Sequence, residues 1–201
     1  MKNGAILDIA AALILKEHGI DTGIISVEDG TFDYEYYPEA DEKIRDIENN
    51  ALKKIQCNPN AKVLSTFLPG DSPASYLYEN ASGLKFLVLA HDLFFSDKNP
   101  SYLNNYCRQA QFISSAEWLC CKKLPAVCTK NPNLYVLASK CETGMSVALL
   151  NVNVDEITEP VIKLDKNYTD INFVNCCGKL DGDTVYLSEI QPYGFAAFEI
   201  K

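Results

Sequence analysis

The stretch WLCCKKLPAVC, Trp118 to Cys128, stands where one pattern of apolar residues stops and another begins. Before it, Leu103, Tyr106, Ala110 and Ile113 recur at the spacing of a helix face, from Asp97 and Pro100 towards Trp118, with the proline near a first helical turn. That spacing predicts the longest helix of the chain. Beyond Asn133 the helical period disappears, and LYVLAS, MSVALLNV, PVIKL, INFVNC, TVYLS and FAAFEI follow at intervals of about ten residues, as in a sandwich or barrel. Asp181-Gly182 is a hairpin-turn signal between two of them. The stretch therefore reads as a helix end and the entry to an all-β region, with a boundary between Leu119 and Asn133.

Upstream, Asp8 followed by an apolar run to His18 and then Gly19 predicts a short capped helix with a left-handed stop. Gly23 to Val27 reads as a strand, and EDGTFDYEYYPEADE as turn and irregular strand. In DEKIRDIENNALKKI, Ile44, Ile47, Ala51 and Ile55 fall at helical spacing, with acids first and lysines last, which predicts a second helix. KVLSTFL, ASYLYEN and KFLVLAH, broken by PGDSP and NASG, read as three strands.

Composition bounds the function. With 201 residues, 47% hydrophobic and 22% charged, the chain can bury a substantial core and is neither disordered nor fibrous. A formal charge of -9, with no basic run, argues against nucleic acid and anionic membranes as partners. The N-terminal apolar run contains Asp8 and ends in Lys16, Glu17 and His18, so no signal peptide is expected, nor any membrane span. The eight cysteines are then expected to be reduced thiols in a cytoplasmic protein.

The same cysteines make a poor metal site. Cys120 and Cys121 are adjacent and would diverge by about 100° on a helix, while Cys176 and Cys177 on a strand would point to opposite faces. No metal and no other cofactor is expected. GDSPAS lacks a nucleophile elbow, and neither phosphate-loop pattern occurs. His91 and Asp92, after the apolar run KFLVLA, are the best catalytic suggestion, because strand ends often carry function. No third orienting group is evident for them. His18 belongs to a helix end. Tyr34, Glu35, Tyr36 and Tyr37 could contact a sugar, with rings against its CH groups and the carboxylate accepting its hydroxyls. They could equally form a half-buried strand.

The order of segments resembles the C-terminal portion of bacterial glycoside-hydrolase-like proteins of the β-galactosidase type. The pieces that carry the likeness are GAILDIAAALILKEHGI with GIISV, YLYENASGLKFLVLAHDL, NNYCRQAQFISSAEWLCCKKLPAV, and NPNLYVLASK with MSVALLNVNVD and GFAAFEI. The resemblance implies a truncated glutamine-amidotransferase-like α/β part followed by a β-sandwich. It also implies that the catalytic acid and nucleophile belong to a barrel preceding Met1, so it transfers no catalytic residue to this chain.

Together these readings predict an α+β chain: a mixed α/β part with a long helix over residues 1–120, then an antiparallel β-sandwich over 133–201. The expected role is a non-catalytic accessory region or standalone relic of a carbohydrate-active protein. Carbohydrate, a second copy of the chain or an upstream catalytic domain are its expected partners. The alternatives are a small hydrolase or transferase using His91 and Asp92, and an interaction module pairing through an exposed sheet edge.

Overall fold

The computed structural model describes residues 4–45, 52–93 and 104–201. Strands dominate both of the compact units into which the chain divides, one formed by residues 1–103 with 118–121 and the other by 104–117 with 122–201.

The first unit contains β1 (Gly4–Leu7), α1 (Ile9–Glu17), β2 (Ile24–Asp29), β3 (Tyr34–Tyr37), β4 (Glu42–Arg45), β5 (Lys53–Cys57), β6 (Lys62–Leu68), β7 (Ser72–Glu79) and β8 (Lys85–Leu89). Six of these strands form a sheet in the order β1-β8-β7-β6-β3-β4, in which β1 and β8 run parallel and the other neighbours antiparallel. Helix α1 starts where expected: the Asp8 carboxylate accepts from the Ala11 amide at 2.8 Å, satisfying one of the first-turn donors. It stops at His18, and Gly19 takes the left-handed conformation (φ +81°) that a side chain would strain. Ile9 and Ala12 of this helix pack with Phe67, Tyr76, Phe86 and Val88 in one apolar core.

The second unit opens with α2 (Tyr106–Cys120), whose residues to Glu117 belong to it. Then come β9 (Ala126–Thr129), β10 (Leu134–Cys141), β11 (Gly144–Asn151), β12 (Ile157–Thr158), β13 (Val161–Leu164), β14 (Ile171–Val174), β15 (Gly178–Asp181), β16 (Thr184–Leu187), β17 (Glu189–Ile190) and β18 (Phe195–Ile200). Two antiparallel four-stranded sheets result, β10-β11-β18-β14 and β15-β16-β13-β9, with β12-β17 as a separate pair. Val147, Leu149, Phe198 and Ile200 of the first sheet share a core with Ile162, Leu164, Val185 and Leu187 of the second. Alternation along β11 and β18 puts these residues inside and sends their neighbours out. The hairpin at Asp181-Gly182 forms, with Gly182 at φ +61° between β15 and β16.

The α+β expectation is overturned. The two helices among the described residues have 9 and 15 residues, neither of them long, and the described part of the N-terminal unit is a mainly antiparallel sheet rather than a mixed α/β part. Helix α2 begins at Tyr106; Asp97, Pro100 and Leu103, which were expected to open it, lie outside the described residues. The described ends of DEKIRDIENNALKKI, expected to form a helix, are strand instead. Ile44 lies on β4 and Ile55 on β5, while Ile47 and Ala51 lie outside the described residues. The reason is tertiary. β5 is the partner of β2, and its lysines meet acids across that pair, Lys53 to Asp29 at 2.7 Å and Lys54 to Glu28 at 3.4 Å. Charges that would suit a helix dipole thus serve cross-strand pairs, and Ile55 faces the core as alternation requires.

Candidate functional site

Strand β3 splits the acidic-aromatic tract by its two-residue period. Tyr34 and Tyr36 point to one side, where Tyr34 is exposed and Tyr36 half-buried; Glu35 and Tyr37 point to the other and are buried. The Tyr36 hydroxyl donates to Asp41 Oδ1 at 3.0 Å, and that carboxylate holds the phenol above its ordinary pKa. The four residues nominated for a sugar are therefore not one surface.

Glu35 instead joins a polar cluster in the core. Ser65 of β6 donates to Glu35 Oε1 at 2.5 Å, and the Ser65 and Ser75 hydroxyls lie 2.5 Å apart. His91, just beyond β8, places Nε2 3.5 Å from Glu35 Oε2. The Phe67 ring meets the imidazole edge-on at 5.1 Å between centroids and stacks on Phe32 at 4.7 Å. Backbone bonds fix the same corner: the Ile9 amide donates to the His91 carbonyl at 3.1 Å, and Leu52 bridges to His91. The β6–β7 register shifts on both sides of Ser65, a bulge that sets where its hydroxyl points.

A carboxylate, an imidazole and two hydroxyls are the components of a hydrolytic triad, yet their order is wrong for one. The serine donates to the carboxylate, whereas an activated nucleophile donates to the imidazole. Ser65, Ser75 and His91 are also 0% exposed, so none offers an atom to a substrate. What the arrangement does is give the Glu35 carboxyl and the Ser65 and Ser75 hydroxyls partners and bring β3, β6 and β7 against the end of β8. Asp92, the partner nominated for His91, is half-buried. Ser65, Ser75 and Phe67 were not among the sequence candidates. Ser65 and Ser75 are buried on β6 and β7, where a polar residue needs a partner, but the register shift at Ser65 hides that from simple alternation.

In the stretch that opened the reading, Cys120 and Cys121 are exposed. Lys85 donates to Cys121 Sγ at 3.2 Å and lies over the Trp118 ring at 4.8 Å. Cys128 faces the core of the second unit, and burial pushes its thiol up to about 11. Among the described residues, no group of three or more His, Cys, Asp or Glu side chains is placed to hold a metal ion. No helix among them is long and apolar enough to cross a membrane.

No protein family and no curated protein matches the sequence. Among solved structures, α-L-fucosidase isoenzyme 2 from Paenibacillus thiaminolyticus aligns with 89% of this chain and 33% of its own, at 10% identity and a TM-score of 0.55. The chain shares its fold with a segment of that fucosidase. Gan42B, a GH42 β-galactosidase from G. stearothermophilus, aligns with 98% of this chain and 28% of its own at 12% identity and a TM-score of 0.47. A β-galactosidase from Bacillus circulans sp. alkalophilus aligns over 89% and 24% at 10% identity and a TM-score of 0.40. The chain thus spans a third or less of the length of each of these proteins.

Proposed function

We propose that the chain is a non-catalytic accessory region of a carbohydrate-active protein of the glycoside-hydrolase type. The observation that carries this reading is the burial of the Glu35–His91 cluster. Its carboxylate and imidazole are the groups best suited to acid–base chemistry, and they are closed off from solvent. Glycoside hydrolysis requires two carboxyls facing a cleft about 5–10 Å apart, and Glu35 faces a serine and a histidine instead. The fold shared with a segment of a fucosidase supports a carbohydrate context.

A sugar contact on β3 is confined in this reading to Tyr34 and Tyr36, the pair on the outer side. Shallow stacking of this kind reaches about millimolar affinity, roughly 4 kcal/mol. The purified chain should release no product above buffer from aryl fucosides, galactosides, glucosides or xylosides. Reproducible turnover of any of them overturns the proposal.

A further inference from the structure

The outer side of sheet β10-β11-β18-β14 departs from the rule that an antiparallel sheet shows polar residues to water. Cross-strand register places Tyr135, Leu150 and Phe195 in one row, at 58%, 40% and 52% exposure. The next row, two residues along each strand, holds Leu137, Ala148, Ala197 and Val174. Leu137 and Val174 are 56% and 46% exposed at its ends, and the two alanines form a low floor between them. A shallow trough of about 590 Å³ runs between this second row and the third, floored by Ala148 and Ala197 and bordered by Ser139, Ser146 and Glu199. Only in the third row, Ser139, Ser146, Glu199 and Asn172, does the face turn polar.

We propose that this face binds a second copy of the same chain, sheet against sheet, about a two-fold axis in the plane of the face between the first and second rows. An isologous contact requires a patch that is its own complement. Here a ridge of large side chains lies beside a trough floored by alanine, about 6.8 Å away along the strands. The two-fold sets Leu150 and Phe195 of one protomer over Ala148 and Ala197 of its partner. Strands of the two copies then align within about 30°, the usual angle for packed sheets.

Charge and size fit the same occupant. The chain carries a formal charge of -9, yet these three rows contain one Asp, Glu, Lys or Arg residue, Glu199, in the outermost of them. Like-charge repulsion is therefore weakest where the copies meet. The apolar face is on the order of 500 Å², larger than a scatter of single exposed residues. Paired, it buries about 1,000 Å², the lower end for specific association. The dimer should accordingly dissociate on dilution and withstand added salt.

Sedimentation velocity on the whole chain between about 1 μM and 1 mM tests this. Wild type should shift from monomer to twice its mass. Ala197→Arg, which fills the trough, and Phe195→Asp, which charges the ridge, should each raise the dissociation midpoint at least about 100-fold with the circular dichroism unchanged. Should Ala197→Arg fail to fold, Leu137→Glu, at an exposed position of the same row, serves in its place. A monomer at every concentration overturns the proposal, as does a dimer indifferent to these substitutions. A monomer whose binding to a soluble oligosaccharide is lost in Phe195→Asp also overturns it and assigns the face to carbohydrate.

Discussion

Glu35→Ala should destabilise the chain by about 2–5 kcal/mol, the cost of leaving buried polar partners unpaired and opening a cavity. Truncation removes the acceptor of the Ser65 hydroxyl and the group 3.5 Å from His91, and it opens a cavity at a position with no access to water. Glu35→Gln keeps the volume and one acceptor, so it should cost less, about 1–3 kcal/mol for imperfectly paired polar groups. Urea unfolding at constant pH separates the two, provided the slope with denaturant is unchanged. A loss below about 1 kcal/mol for alanine would mean that the cluster does not hold β3, β6, β7 and His91 together.

Phe198→Ala should cost about 3–5 kcal/mol by a different route, through lost apolar burial and an unfilled cavity. Phe198 is 0% exposed on β18 and packs edge-on against Phe173 at 6.3 Å between ring centroids. It lies in the inward row with Val147, between the two sheets of the second unit. Phe198→Leu keeps most of the volume and should cost less than about 1.5 kcal/mol. Thermal or urea unfolding of both variants is the measurement. Equal stability of wild type and Phe198→Ala would contradict the shared core.

The second unit was the more legible in the sequence, and the reason lies in its periodicity. β11 and β18 alternate so regularly that MSVALLNV and FAAFEI announce strands, and Asp181-Gly182 announces a turn. Helix α1 was equally readable, because Asp8 and Gly19 act locally through a cap and a positive φ. Where the sequence misled, the deciding partner was far away. Ile44 and Ile55 fit a helix by spacing, but β5 is set by β2, whose Asp29 lies 24 residues before Lys53.

The site shows the same division. The Tyr34–Tyr37 tract was noticed, but which residues turn inward depends on the pairing of β3 with β6, and only that pairing brings Glu35 to Ser65. His91 was singled out as a strand-end histidine; its burial comes from Phe67 and from the bridge to Leu52. The apolar outer rows of β10, β11 and β18 are written plainly in Tyr135, Leu137, Leu150 and Phe195. They pass for core residues until the register shows that the core is already filled from the other side.

The central claim is that the His91–Glu35 cluster is sealed structure rather than exposed chemistry. It can be tested with the chain's two histidines as each other's control, since His18 is exposed at the end of α1 and His91 is fully buried. Carbethoxylation of the native protein, read by peptide mass spectrometry, should modify His18 quickly and leave His91 intact until the chain is denatured. Modification of native His91 at a rate comparable to His18 would contradict the account.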